Sequence, residues 1–181
     1  HQATFCINSL CHIIGTQPWS KKDTSKDSWI CALITFGEGY HNFHHTFPAD
    51  YRNGLKWYHF DPAKWLIWGG NKLGLTTNLK RTEAPVRWKK RLERQMDKYQ
   101  ESIVQTIPEA HSEWSIRVES TCLRVEETLN IWSDKLREYR RAVKQGEVTE
   151  SLLLSVKESR KAWKHSWREF MDLRKTMPIP A

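Results

Sequence analysis

The chain has 181 residues, a formal net charge of +8 and ten tryptophans, enough for one domain or one domain with an extension. No run approaches the roughly 18 to 20 apolar residues of a membrane span, and no signal-peptide pattern is present. Cys6, Cys11, Cys31 and Cys122 form no CxxC pair, which argues against a secreted disulfide scaffold and fits a reducing compartment. The sequence opens at His1 inside an already patterned segment and reads as a piece with more chain upstream.

From the start, "ATFCINSLCHIIG" (Ala3 to Gly15) reads as a helix ended by Gly15 and Pro18. "QPWSKKDTSKDS" is polar and turn-rich. "WICALITFGEGYHNFHH" resumes an apolar pattern and ends in His41, His44 and His45 at spacing i, i+3, i+4. On a helix these fall within an arc of about 100°. Three imidazoles on one face gain little as packing and make sense in front of a metal ion. The plain alternative is a fortuitous histidine-rich turn. Asn8 and His12, at i, i+4 in "NSLCH", weigh against it, because four histidines and an amide in two short pieces then converge. Neutral imidazoles suit iron, copper or zinc, while the absence of HExxH and of Cys/His finger spacing weakens zinc. Glu38 is either an acceptor for the outer N–H of a ligating ring or a helix-start carboxylate. "TFPADYRNGLKWYHFDP" is broken by Pro48, Gly54 and Pro62, and a short amphipathic helix is expected at "AKWLIWGGNKLGL".

Beyond Thr82 the pattern is helical almost throughout. Trp114, Val118, Cys122, Val125, Leu129, Trp132, Leu136, Tyr139 and Val143 form a heptad-like seam. Thr106 with Glu109 reads as a capping box, with Pro108 in a first turn. Gly146 ends this helix, and a second starts near Thr149. Its stripe is Leu152, Val156, Trp163, Trp167 and Phe170, with Ser159 as the weak point. The expected architecture is therefore mostly α: a histidine-bearing segment, 1–82, and a helical tail, 83–181, folded as a coiled-coil-like antiparallel hairpin of 109–145 and 149–175. Residues 1–79 hold 7 basic and 5 acidic side chains, and 80–181 hold 22 and 16, a mixed-sign helical surface. The densest run, "RWKKRLERQMDK" (Arg87 to Lys98), is a solvated face or, less simply, a contact for phosphates or anionic headgroups. No specific nucleic-acid partner is expected.

"GEGYHNFHHTFPADYRNG" resembles the last histidine box of the membrane-bound acyl-CoA delta-9 desaturases (stearoyl-CoA desaturases), with a fungal flavour. "QATFCINSLCHIIGTQPW" resembles the preceding segment with its NSxxH motif, and "FDPAKWLIW" and "LGLTTNLKR" continue the likeness. It covers roughly residues 1–82. The resemblance implies a cytosolic histidine-box cap of a membrane di-iron enzyme of the endoplasmic reticulum. His12, His41, His44 and His45 match iron ligands, and Asn8 matches an asparagine that reaches a metal through water. The implied reaction places a cis double bond in a saturated acyl-CoA, consuming dioxygen and two electrons. The two upstream histidine boxes and the membrane spans are not in this sequence, so the piece alone is expected to be inactive. No HPGG haem motif follows Thr82, so electrons are expected from a separate cytochrome b5. Sphingolipid desaturases and related hydroxylases also use histidine boxes, but "GEGYHNFHHTFP" favours the acyl-CoA group. The reading from another class is a non-catalytic basic helical interaction module on a relic desaturase fragment.

Overall fold

The computed structural model describes residues 2–104 and 111–176. The capping box expected at Thr106, Pro108 and Glu109 lies outside them. The described residues form seven helices: α1 (Gln2–Ile13), α2 (Trp29–Ile34), α3 (His41–Thr46), α4 (Pro62–Lys72), α5 (Ala84–Val104), α6 (His111–Gln145) and α7 (Glu150–Lys175). None of them is long and apolar enough to cross a membrane. They fall into two units, His1–Arg94 and Gln95–Ala181.

In the first unit the helices are short, and polar side chains do much of the joining. Ser28 caps α2 by accepting from Cys31 N–H, and Asp61 caps α4 by accepting from Lys64 N–H, with Pro62 in the first turn. The segment between α1 and α2 is laced to its neighbours by two isolated antiparallel bridges, Thr16 with Asp27 and Asp27 with Tyr40. Gly15 makes the first possible. Its φ is +125°, and a Cβ there would collide with the Asp27 carbonyl oxygen.

Trp19, Phe43 and Phe47 form the core under α3, with Leu55 packed against them. The Trp19 ring meets Phe43 and Phe47 edge-on, at centroid distances of 5.3 and 5.6 Å. The start of α5 belongs here too: Arg94 donates to Gln17 O at 2.9 Å, and the Arg91 guanidinium lies over the Trp19 ring. The middle of the basic run is thus partly used inside the fold. Arg94 is buried and Lys90 pairs with Glu93, so the expectation of a wholly solvated basic face is corrected.

The second unit is dominated by α6 and α7, packed side by side. Arg124 meets Glu169, Thr128 meets Ser166, and Trp132 stacks on Trp163 with centroids 4.9 Å apart. The falling partner numbers make the pair antiparallel. Gly146, at φ +74°, turns the chain while Glu147 N–H reaches back to Ala142 O, a Schellman-type helix end. Thr149 Oγ1 then caps α7 on Leu152 N–H. Val118, Val125, Leu129, Trp132, Trp163 and Phe170 are buried.

The seam departs from expectation near the turn, where Val143 is exposed and Ala142 buried. On α7, Ser166 is buried where the stripe named Trp167, because its hydroxyl bonds within the pair.

Candidate metal centre

His12 ends α1, and His41, His44 and His45 lie along the six residues of α3. What brings the two helices together is Asn42, which is fully buried. Its Oδ1 accepts from the N–H groups of Trp19 and Ser20, at 2.9 and 3.3 Å. Its Nδ2 donates to Ser20 O, Ser25 O and Ser25 Oγ. Asp27 adds a second tie by accepting from Phe43 N–H at 3.0 Å and Trp19 Nε1–H at 3.1 Å. Burial outweighs these bonds and raises the Asp27 carboxyl to about 6. The turn-rich segment is thereby fastened to α3 residue by residue, and the end of α1 comes with it through Lys26 N–H to Cys11 O.

The result is a convergence of histidines. Ligating atoms of His12, His41 and His45 all lie within 4.8 Å of one another, close enough to hold a metal ion. Their ring centroids are 5.0, 5.7 and 4.3 Å apart for the pairs 12–41, 12–45 and 41–45. His44 stands at the edge, 6.3 Å from the His41 ring and 6.1 Å from that of His45. Asn8 is exposed on α1, one turn before His12. Glu38 accepts from Asn53 Nδ2 at 2.8 Å, so this carboxylate is engaged at the approach to α3.

Two ring partners come from the turn that sequence patterning left as a mere connection. His45 Nδ1 lies 3.0 Å from Asp23 Oδ2, and His12 Nδ1 lies 2.8 Å from Thr24 Oγ1. A carboxylate on Nδ1–H fixes the tautomer and leaves the Nε2 lone pair for a metal. Burial alone would raise the Asp23 carboxyl, but the Ser25 N–H and hydroxyl and the His45 ring together hold it below its ordinary value. Nothing in the sequence spacing marks Asp23 and Thr24; the only signal was a polar turn between two histidine-bearing pieces.

His41 tests whether a metal fits. Both of its ring nitrogens are buried without a hydrogen-bond partner. Such a side chain is costly in a purely structural role, whereas an imidazole lone pair suits a metal ion. Burial, then the neighbouring rings of His45, His12 and His44, lowers its pKa to about 4. The ring is therefore neutral at neutral pH, the form that ligates.

The segment that carries these histidines has relatives. Acyl-CoA desaturase 1 of Saccharomyces cerevisiae is 60% identical over 80 residues, 44% of this chain and 16% of that protein. Over that stretch, the chain is homologous to the acyl-CoA desaturases. A probable acyl-CoA desaturase of Schizosaccharomyces pombe is 53% identical over 79 residues, again 16% of its length. The delta-9 desaturase-like 2 protein of Arabidopsis thaliana is 48% identical over 80 residues, 27% of its length. The chain thus spans about a sixth of its yeast relatives. No protein-family model matches it. The desaturase homology and the histidine convergence together describe a desaturase-related piece with part of a metal site.

Proposed function

We infer that this chain is the C-terminal portion of an iron-dependent acyl-CoA delta-9 desaturase and supplies part of its di-iron centre. The observation that carries the reading is the meeting of His12 with His41 and His45, with His41 buried and unsatisfied. In this reading His12, His41, His44 and His45 ligate iron, and Asn8 reaches a metal through water. When bound, iron supplies the activation of dioxygen needed to take hydrogen from an unactivated methylene of a saturated acyl-CoA.

The residues of this chain hold and orient. Asp23 and Thr24 fix the His45 and His12 rings, Asn42 and Asp27 fix α3 against the turn, and Glu38 is braced by Asn53 before the first α3 ligand. His41 stays unprotonated. The upstream histidine boxes and the acyl tunnel come from chain outside these residues, so the piece alone does not turn over. Membrane attachment is likewise assigned upstream, with this segment on the cytosolic face of the endoplasmic reticulum. Cytochrome b5 delivers electrons in trans. Within the tail, α6 and α7 pack on each other through Arg124 with Glu169, Thr128 with Ser166 and Trp132 with Trp163.

The test is His41→Ala and His44→Ala in the protein expressed from its complete coding sequence, in cells lacking their own delta-9 desaturase. Oleate formation is expected to vanish in both while the protein still accumulates. Substantial oleate from either variant overturns the reading.

A further inference from the structure

Helix α4 is inverted with respect to water. Its buried residue is Lys64, whose Nζ donates to the carbonyls of Gly54, Lys56 and His59 at 2.8, 3.0 and 3.4 Å. Trp65, Leu66 and Trp68 are instead 46, 79 and 49% exposed, and Leu73 and Leu75 just beyond are 76 and 77% exposed. At 100° per residue, Trp68, Lys72, Trp65, Leu73 and Leu66 share an outward arc of about 160°, opposite Ile67. A surface helix ordinarily turns its apolar stripe inward, and contiguous exposed apolar surface marks an interaction site.

The chemistry of the arc selects the partner. From Pro62 to Thr82 there is no acidic residue, and Lys72, Lys80 and Arg81 are exposed cations. The Lys72 ammonium lies over the Trp68 ring, 5.7 Å from its centroid. Lysine is depleted from the centre of protein–protein interfaces. Tryptophan beside lysine, with leucines between, is what a helix lying in a headgroup layer carries: rings at the polar boundary, ammonium groups reaching up to phosphates. At 11 residues, α4 is too short to span.

We propose that the outward face of α4, with Leu73 and Leu75, seats on an anionic lipid surface. Leu66 and Leu73 enter the acyl boundary, Trp65 and Trp68 lie at headgroup level, and Lys72, Lys80 and Arg81 meet the phosphates. This goes beyond the desaturase reading and does not need the histidines, so either can fail alone.

Flotation of the 181-residue chain with vesicles tests it. Binding is expected to phosphatidylcholine mixed with phosphatidylserine, and more weakly to phosphatidylcholine alone. Leu66→Ser/Leu73→Ser should lose roughly tenfold or more in partition coefficient with unchanged helicity, and Lys72→Glu should lose binding to the mixed vesicles. Ile30→Ser/Leu33→Ser, on the exposed face of α2, and His41→Ala should bind as the parent does. Vesicle binding by the α4 variants equal to the parent's overturns the proposal. So does a parent chain that ignores vesicles, including one that forms a dimer broken by Leu66→Ser, which would make a second copy the partner.

Discussion

The carboxylate of Asp23 lies 3.0 Å from the Nδ1 of His45, a residue 22 positions later in the chain. Thr24, its neighbour, makes the matching contact to His12. One turn therefore orients a ring on α1 and a ring on α3. Removing such outer partners typically weakens metal binding by about 10- to 100-fold. Asp23→Ala is expected to weaken Co²⁺ or Zn²⁺ binding to the 181-residue chain by that factor, read by competition with a chromophoric chelator, with circular dichroism unchanged. Undiminished affinity would leave Asp23 as a surface contact.

His41→Leu separates ligand from fold. The leucine removes two buried nitrogens that lack partners, a defect worth about 1–3 kcal/mol. Without added metal the variant should melt higher than the parent. With metal it should gain nothing, while the parent shifts upward. A lower metal-free melting temperature for the variant would mean that His41 packs better than its contacts indicate.

Two buried groups give opposite pH dependences. His41, lowered to about 4, binds its proton less readily folded than unfolded, so its contribution is full above pH 6.5 and is lost as pH falls toward 4. Asp27, raised to about 6, binds its proton more readily folded, so its contribution is present below about pH 4 and is lost as pH rises through 6. The two act in opposite directions in the parent between pH 4 and 6. Asp27→Asn should expose a steep acid loss and His41→Leu a gain on acidification, both measured as urea midpoints for the first unit.

Asn42→Asp keeps the acceptor and destroys the donor. Its Nδ2 serves Ser20 O, Ser25 O and Ser25 Oγ, and a buried carboxylate facing two carbonyls is repelled. A loss on the order of 3–5 kcal/mol is expected, with weaker metal binding because the turn holding Asp23 and Thr24 detaches. Equal stability of the two forms by denaturant titration would show that the turn is held elsewhere.

In the hairpin, Trp163→Ala should cost about 3–5 kcal/mol, since the side chain is buried against Trp132. Val143→Ala should cost under about 0.5 kcal/mol, because half of that residue is exposed. Comparable effects would restore Val143 to the seam.

The legible parts of the molecule were the repetitive ones. Periodicity revealed the two long helices, Gly146 and Thr149 marked their turn, and the i, i+3, i+4 histidines fell on one short helix. It could not reveal Asp23, Thr24 or the role of Asn42, because a turn's side chains acquire partners only once distant segments meet. Nor could it reveal α4's outward tryptophans: spacing shows that a helix has an apolar face, not which way the face points. Val143, close to the turn, is exposed where periodicity placed it in the seam.

The antiparallel pair also sets an order of events in time. Its contacts widen away from the Gly146 turn, from the 28 residues between Trp132 and Arg160 to the 45 between Arg124 and Glu169, so closure proceeds by steps rather than in one large loop. The histidine unit lacks such a path: His12 and α3 meet across a segment tied to α3 through Asn42. After dilution from denaturant, the exciton signal of the stacked Trp132 and Trp163 should appear on the fast timescale of helical hairpins. Protection of the α3 amides should follow it, two clocks running in one chain.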